Sequence, residues 1–273
     1  MKAILRKIRQ QLRLLWYKRN YFLKPVTRPT VPINPLPYFP NGFSIQQVGN
    51  TGLRVVDNFL TAEEAQYFVA MARDKVAPSR VIIDGKPVLR EGRSSSHAIV
   101  FHRNYQDPHV LPLLVRGAAL VGVPMDHAEQ VYVTRYKAGE LYHGHYDMSH
   151  DFLSSDRLCT ILIYLNDLTE EQGGATYFRD LNVAVKPKLG RAVCWTNTNP
   201  DGSVHHETMH AALPPQGEDT EKWVTQLWFR PYRMHRIHDE LEPLQTRPGR
   251  PLTGSEHLPE GIWMPSQGTA ATG

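Results

Sequence analysis

Short segments in which hydrophobic and polar positions alternate fill the middle of the chain, and Gly, Pro, Asn and Asp separate them. The segments are rich in β-branched and aromatic residues, a pattern that is typical of β-strands. The segments predicted as strands are residues 54–56, 80–83, 97–101, 130–136, 158–165, 176–178, 183–185, 191–195 and 223–229.

Two segments have the spacing of helices instead. Thr61-Ala62-Glu63-Glu64 forms a capping box, in which a Thr hydroxyl and a Glu carboxylate satisfy free amides at a helix start, and apolar positions follow in residues 65–72. Residues 111–120 are the second predicted helix. Together these elements predict a mainly β fold, a sandwich or jelly roll with flanking helices that support one sheet.

The N-terminus has a different pattern. Within residues 1–24, apolar side chains recur at helical spacing among basic ones, which predicts a basic amphipathic helix. These apolar positions are Leu5, Ile8, Leu12 and Leu15. The helix could lie on an anionic membrane surface through residues 2–24, pack on the domain, or be a disordered basic arm.

Three further boundaries follow from composition. Residues 25–42 are a predicted stiff linker, because six prolines lie between Pro25 and Pro40. Residues 43–233 are predicted to form one folded domain. Residues 234–273 mix Pro, Gly and Thr without periodicity and are predicted to be an irregular tail.

The formal charge of +4 does not indicate a nucleic-acid partner. Ten Lys or Arg and no acid precede Asp57, so the remaining 21 cations face all 27 acids, a net charge of −6. Cys159 and Cys194 each lie in an apolar run, which favours buried free thiols and a reducing compartment. With no secretory signal or membrane-spanning segment, we expect a cytoplasmic protein, with membrane association through the N-terminal helix as the alternative.

His145 and Asp147 are the candidate start of a metal site. In a β-strand, residues two apart point to the same face, so an imidazole and a carboxylate would converge there. His210 is the candidate third ligand. Two histidines and one carboxylate on one side of a metal form the facial triad of non-haem iron(II) oxygenases, which leaves three of six octahedral positions open. His205 and His206 are competing candidates for the third ligand.

The order of several motifs resembles the prolyl 4-hydroxylase branch of the iron(II)- and 2-oxoglutarate-dependent dioxygenases over roughly residues 55–230. The matching segments are Arg93-Ser94-Ser95, Glu129 to Asp147 with Y-x-x-G-x-x-Y-x-x-H-x-D, Arg157-x-x-Thr160-x-x-x-Tyr164-Leu165-Asn166, Gly173-Gly174-x-Thr176-x-Phe178, Pro187-Lys188-x-Gly190, His210, Lys222-Trp223 and Trp228. This resemblance implies a double-stranded β-helix, which is a jelly roll.

The resemblance also implies roles for single residues. The implied iron ligands are His145, Asp147 and His210, and no catalytic residue is implied beyond these ligands. The residues implied to bind 2-oxoglutarate are Lys222, Tyr136 and Thr176. The residues implied to line the substrate groove are Glu129, Tyr142, Arg157 and Trp228, each of which could instead be an ordinary surface charge or core residue.

One departure from the family pattern concerns the 2-oxoglutarate site. Twelve residues separate His210 from Lys222, where the family has about ten, and residues 218–221 are the apparent insertion. If the strand register were not restored after the insertion, Lys222 would face outward, and Arg230 or Arg191 could replace it.

The implied activity is hydroxylation of a C–H bond, with a peptidyl proline as the leading substrate and succinate and carbon dioxide as products. The implied cofactors are iron(II), 2-oxoglutarate, oxygen and ascorbate, and the implied partner is a peptide or protein. The alternatives are the same chemistry on a free amino acid or other small molecule, a cupin-like binding module without turnover, and a sensor attached through its N-terminal helix. The sequence leaves the oligomeric state open.

Overall fold

A computed structural model describes residues 44–48, 52–83, 86–100, 107–148, 157–199 and 203–230. All of them fall within the domain predicted for residues 43–233. The predicted N-terminal helix, Pro-rich linker and C-terminal tail lie outside the described residues, so these parts of the domain division remain predictions.

Two helices and fourteen strands make up the described part of the chain. The helices are α1 (Ala62–Arg73) and α2 (Val110–Val121). The strands are β1 (Ser44–Val48), β2 (Leu53–Asp57), β3 (Ala77–Pro78), β4 (Val81–Ile83), β5 (Lys86–Val88), β6 (Ser96–Val100), β7 (Val131–Lys137), β8 (Tyr142–His145), β9 (Cys159–Tyr164), β10 (Thr176–Phe178), β11 (Val183–Val185), β12 (Ala192–Thr196), β13 (His210–Ala212) and β14 (Glu221–Phe229).

The strands form two main antiparallel sheets. The larger sheet has the order β1-β2-β12-β9-β14-β7-β6-β3, and the smaller sheet has the order β11-β10-β13-β8. Strands β4 and β5 pair separately as a hairpin. The predicted mainly β jelly roll with flanking helices is confirmed.

The helices pack on the outer face of the larger sheet. The predicted capping box at the start of α1 is confirmed, because Glu64 N donates to Thr61 Oγ1 at 3.2 Å and Thr61 N donates to Glu64 Oε2 at 2.9 Å. In α2, a Cβ at Gly117 would lie 2.6 Å from Leu227 Cδ1 on β14. A glycine therefore allows this helix to lie directly on the sheet.

Successive side chains of the central strands point alternately to the core beneath the helices and to the interior between the two sheets. On β9, Cys159 and Ile161 belong to the core beneath the helices, while Leu162 and Tyr164 belong to the interior cluster. Cys194 joins Cys159 in the helix-facing core, and both thiols are free and fully buried, as predicted. Among the described residues, neither helix has the length and hydrophobicity to cross a bilayer.

The structure adds four strands outside the predicted segments, namely β1, β3, β5 and β13, and it defines β8, which was inferred only from the spacing of His145 and Asp147. Strands β8 and β13 read Y-H-G-H and H-A-A, so neither has the apolar alternation by which a strand is predicted. Their pairing with each other stabilises them in place of local preference. These two short strands carry the histidines of the candidate site.

Candidate metal centre and active site

Two paired strands bring the candidate histidines together. His145 ends β8, His210 begins β13, and the two residues are direct partners in the antiparallel register. The prediction that His145 and Asp147 share one face of a strand is wrong, because β8 ends at His145 and Asp147 lies in the bend that follows. The bend, not strand alternation, turns the carboxylate toward both imidazoles.

The three candidate ligands are close enough to hold one metal ion. Potential ligand atoms of His145, Asp147 and His210 all lie within 4.8 Å of one another. Asp147 Oδ1 is 3.7 Å from His145 Nε2, and Asp147 Oδ2 is 3.9 Å from His210 Nε2. Two imidazole nitrogens and one carboxylate oxygen are the donor set that suits non-haem iron(II).

The backbone fixes which nitrogen each imidazole offers. His145 Nδ1 lies 2.8 Å from the carbonyl oxygen of His143, and His210 Nδ1 lies 2.9 Å from that of Thr208. A carbonyl only accepts hydrogen bonds, so each Nδ1 carries the hydrogen and each Nε2 lone pair is free for a metal.

The protonation states also suit ligation. Burial, together with the neighbouring His210, lowers the pKa of His145 to about 3, so its imidazole is neutral at pH 7. Burial alone would raise the pKa of Asp147, but its interactions with His210, His145 and Arg157 outweigh burial and lower the pKa to about 2. The carboxylate is therefore ionised and ready to bind a cation.

Lys222 faces the interior of the jelly roll. It is 1% exposed and is the direct partner of Tyr136 in the β14–β7 pairing. The side chain of Asn166 holds this register, because its Nδ2 donates to Glu221 O at 2.9 Å and its Oδ1 accepts from Trp223 N at 2.8 Å. The longer connection after β13 thus leaves Lys222 inward, and the strand already begins at Glu221.

The Lys222 ammonium is a buried cation without a carboxylate partner among the described residues. Its Nζ donates to the carbonyls of Gly174 at 2.9 Å and Leu213 at 3.2 Å and lies 4.3 Å from the centre of the Tyr136 ring. Burial lowers the pKa of Lys222 to about 7. A ligand carboxylate would supply the missing counter-charge.

The position of Lys222 suits a short dicarboxylate that also reaches the metal. Its partner Leu213 lies three residues beyond His210, a distance of about 10 Å along an extended chain. Gly174 is required here, because its φ is +71° and a Cβ would lie 2.8 Å from Leu168 Cδ1 and 3.4 Å from Lys222 Cδ.

Tyr136 and Thr176, the other two residues predicted to bind 2-oxoglutarate, are buried in the same interior. Burial raises the pKa of Tyr136 to about 12, so its phenol keeps its hydrogen. The Thr176 hydroxyl lies 2.7 Å from the hydroxyl of Tyr164, which also lies 2.7 Å from the Val185 carbonyl oxygen. Tyr164 is therefore a buried neighbour of Thr176 that was assigned no role from its motif.

Glu129 and Arg157, two of the predicted groove residues, form a buried ion pair instead of separate surface charges. Arg157 donates to both Glu129 oxygens, at 2.7 and 2.9 Å, and Arg230 Nε donates to Glu129 Oε1 at 2.8 Å. Burial alone would raise the pKa of Glu129, but the two arginines hold it below its ordinary value. Arg157 Nη1 also lies 3.3 Å from the Asp147 carbonyl oxygen, so the pair adjoins the metal centre.

Trp228 and Tyr142, the other predicted groove residues, also lie near the metal ligands. The Arg157 guanidinium lies 3.9 Å from the Trp228 ring centre, and Trp228 meets Tyr132 edge to face at 4.8 Å. Tyr142 stacks on the imidazole of His145 at 3.6 Å, and its ring lies 4.6 Å from the Arg93 guanidinium.

The competing candidates have other partners. His205 contacts Thr196 and Glu207, and His206 Nδ1 lies 3.3 Å from the Tyr146 hydroxyl. Neither histidine joins the cluster of His145, Asp147 and His210. The two arginines considered in place of Lys222 are also engaged: Arg191 pairs with Asp57 at 2.7 Å, and Arg230 pairs with Glu129.

Comparisons with known proteins agree with this geometry. A family profile described as the 2OG-Fe(II) oxygenase superfamily matches residues 131–230. A putative prolyl 4-hydroxylase of Acanthamoeba polyphaga mimivirus is 31% identical over 186 residues, which cover 64% of this chain and 73% of that protein. Probable prolyl 4-hydroxylase 3 of Arabidopsis thaliana is 27% identical over 198 residues, which cover 64% of this chain and 68% of that protein.

A solved structure shows the same fold. The viral collagen prolyl hydroxylase of Paramecium Bursaria Chlorella virus-1, in its 2OG complex, aligns with a TM-score of 0.51 at 24% identity and covers 68% of this chain and 99% of that one. The chain belongs to the prolyl 4-hydroxylase-like branch of the 2-oxoglutarate- and iron(II)-dependent oxygenases. It is therefore a dioxygenase, and the cofactors of this family are iron(II), 2-oxoglutarate, oxygen and ascorbate.

The buried ammonium predicts a pH dependence for 2-oxoglutarate binding. The free protein loses the Lys222 proton above a pKa of about 7, whereas a bound carboxylate raises that pKa, so binding at higher pH requires proton uptake. We expect the Kd for 2-oxoglutarate to be flat below pH 7 and then to rise up to about tenfold per pH unit. Titration calorimetry in buffers of different ionisation enthalpy measures both the affinity and the proton uptake.

Lys222→Arg is the matched control for this pH dependence, because a guanidinium stays protonated throughout the same range. The variant should bind 2-oxoglutarate more weakly than the native protein does, and its Kd should not rise with pH over this range. An affinity of the native protein that is independent of pH between 7 and 8.5 would contradict the role given to Lys222.

Proposed function

We propose that the enzyme hydroxylates a C–H bond of a proline within a peptide or protein and releases succinate and carbon dioxide. Iron(II) at the site would activate oxygen with 2-oxoglutarate as the source of two electrons. The named relatives are prolyl 4-hydroxylases, which supports this choice of substrate. A peptide substrate is also consistent with the groove residues beside the metal ligands.

The chain's own residues would hold and orient the reactants. The Nε2 lone pairs of His145 and His210 and the ionised Asp147 carboxylate would bind the metal on one side. Lys222 would pair with the far carboxylate of 2-oxoglutarate, with Tyr136 and Thr176 as neighbouring hydrogen-bonding groups. This assignment makes binding and orientation, rather than acid–base chemistry, the contribution of the protein.

The observation that carries the proline proposal is a mostly buried aromatic surface next to the metal site, in which Tyr132 is half-buried and Trp228 is 9% exposed. Trp228 and Tyr132 meet edge to face, and Arg157 links the Trp228 face to the backbone of Asp147. Extended proline-containing peptides bind aromatic-lined grooves, because the pyrrolidine ring is apolar and costs little conformational entropy to fix. A prolyl ring on this surface would lie close to the metal.

The test is incubation of the protein with iron(II), 2-oxoglutarate, ascorbate and a panel of proline-containing peptides under air. We expect a mass gain of one oxygen atom on peptide proline, matched by an equal amount of succinate. Amino-acid analysis then assigns the hydroxyl to C3 or C4. Peptides with alanine in place of proline are the control. Coupled turnover of a free amino acid, with no peptide oxidation, would contradict the proposed substrate.

We further propose that the protein is cytoplasmic and that residues 2–24 attach it to anionic membranes. This proposal rests on the basic amphipathic pattern alone, in which each cation near an anionic surface contributes about 1 kcal/mol. Deleting residues 1–40 should leave succinate formation unchanged and abolish co-sedimentation with phosphatidylserine vesicles. Unchanged sedimentation would contradict attachment, and loss of folding would show that the segment belongs to the domain.

A further inference from the structure

The two carboxylate oxygens of Asp147 have different surroundings. Both face the candidate ligands, with Oδ1 3.7 Å from His145 Nε2 and Oδ2 3.9 Å from His210 Nε2, so the difference between them is their hydrogen bonding. Oδ2 accepts a short hydrogen bond of 2.6 Å from the buried hydroxyl of Thr160 on β9. A hydrogen bond to an ionised acceptor is shorter and stronger than a neutral one, so Oδ2 is firmly engaged.

Asn197 extends this hydrogen bond into a chain with one direction. Its Nδ2 lies 2.9 Å from Thr160 Oγ1. The Thr hydroxyl has one hydrogen, and an ionised carboxylate can only accept, so that hydrogen must point at Asp147. The group of Asn197 that faces Thr160 is therefore its NH₂ donor, not its oxygen. The result is a directed chain from Asn197 through Thr160 to Asp147.

The backbone holds Asn197 firmly and connects it to a second candidate ligand. Asn197 N donates to Leu158 O at 2.7 Å, and His205 N donates to Asn197 O at 3.0 Å. The Thr208 hydroxyl donates to His205 O at 2.7 Å, and the Thr208 carbonyl receives the hydrogen of His210 Nδ1. Asn197 is thus linked to Asp147 through its side chain and to His210 through its backbone.

We propose that Asn197 and Thr160 are positioning residues that make Asp147 bind the metal through Oδ1 alone. The inference rests on the metal site proposed above. A carboxylate can bind a metal with one oxygen or with both, and a second oxygen would take one of the three positions that 2-oxoglutarate and oxygen need. The hydrogen bond from Thr160 uses one lone pair of Oδ2 and fixes the orientation of the carboxylate, which leaves Oδ1 as the less engaged oxygen for the metal.

Three substitutions separate this role from ordinary packing. Thr160→Val keeps the shape of the side chain but removes the hydroxyl, and Thr160→Ser keeps the hydroxyl. Asn197→Asp places an acceptor opposite Thr160, which would draw the hydroxyl hydrogen away from Asp147. Thr160→Ser loses the methyl group and Thr160→Val keeps the side-chain volume, so a packing role predicts that the serine variant is impaired. The directed hydrogen bond predicts the opposite, that only the valine variant is impaired.

The experiment loads each protein with manganese(II) without 2-oxoglutarate and counts metal-bound water by proton relaxation, a readout independent of turnover. We expect about three bound waters in the native protein and in Thr160→Ser, and one fewer in Thr160→Val and Asn197→Asp. The affinity of the manganese-loaded protein for 2-oxoglutarate should fall roughly 10- to 100-fold in the two impaired variants. The double variant should bind 2-oxoglutarate no more weakly than Thr160→Val alone, because both substitutions break the same chain of hydrogen bonds.

Equal water counts and equal 2-oxoglutarate affinities in the native protein and in Thr160→Val would overturn the positioning role while leaving the metal site intact. Additive effects of the two substitutions would also overturn it. If Asn197→Asp does not fold, as judged by circular dichroism, the comparison of Thr160→Val with Thr160→Ser decides the question. Failure of the native protein to bind manganese(II) would overturn both this inference and the proposed metal site on which it rests.

Discussion

Asp147→Ala is expected to abolish succinate formation and to weaken metal binding on the order of 10²- to 10³-fold. The substitution removes the only carboxylate of the ligand cluster, and breaking a buried charge pair costs about 3–5 kcal/mol. Calorimetric titration of the unloaded protein with manganese(II) measures the affinity, and succinate release measures turnover.

His206→Ala is the matched control for Asp147→Ala. His206 was a competing candidate from the sequence, but it is exposed and contacts Tyr146 rather than the ligand cluster. This variant should bind metal as the native protein does. Full activity of Asp147→Ala, or loss of metal binding in His206→Ala equal to that in Asp147→Ala, would contradict the assigned ligands.

Lys222→Ala is expected to raise the KM for 2-oxoglutarate roughly 100- to 1,000-fold while changing the requirement for iron far less. The ammonium is buried beside the Gly174 and Leu213 carbonyls, so a dicarboxylate bound there would lose the partner of its far charge. Leaving that charge buried and unpaired costs about 3–5 kcal/mol. Succinate release measured against both 2-oxoglutarate and iron(II) separates the two effects.

Arg191→Ala is the control for Lys222→Ala, because Arg191 was the alternative cation and its side chain instead pairs with Asp57. It should leave the KM for 2-oxoglutarate near its native value. Equal rises in the requirements for iron and 2-oxoglutarate in Lys222→Ala would show that Lys222 supports the fold generally instead of binding the co-substrate.

The identity of the metal cluster could be predicted from the sequence, but its geometry could not. His145, Asp147 and His210 follow from an order of motifs that persists through the chain. The bend that directs Asp147 and the pairing of β8 with β13 depend on contacts between segments about sixty-five residues apart. Strand periodicity therefore paired two residues that do lie together in the structure, but the bend after β8 is what brings them together.

The position of Lys222 shows how a tertiary contact settles what spacing leaves open. The longer connection after His210 left the inward register of Lys222 an assumption, with an outward register as the alternative. In the structure, Asn166 hydrogen-bonds to the backbone on both sides of Lys222 and fixes the inward register. Asn166 stands in a motif that resembles the family pattern, which was the available signal for this contact.

Thr160 and Asn197 show the limit of sequence reasoning. Thr160 lies in a matching motif but has no ionisable group, and Asn197 lies thirty-seven residues later in a segment without a motif. Only the three-dimensional structure shows that they form a chain of hydrogen bonds to Asp147. Supporting residues of this kind act through distance and direction, which a linear pattern does not encode.

The most direct test of the central claim is an anaerobic titration of the iron(II)-loaded protein with 2-oxoglutarate, followed by visible absorption. Chelation of iron(II) by a 2-oxo acid gives a charge-transfer band. The site described here predicts a band that saturates at one 2-oxoglutarate per chain and is absent from Asp147→Ala. If the folded, iron-loaded native protein shows no band at saturating 2-oxoglutarate, iron(II) and 2-oxoglutarate do not bind together at this site. That result would contradict the assigned active site.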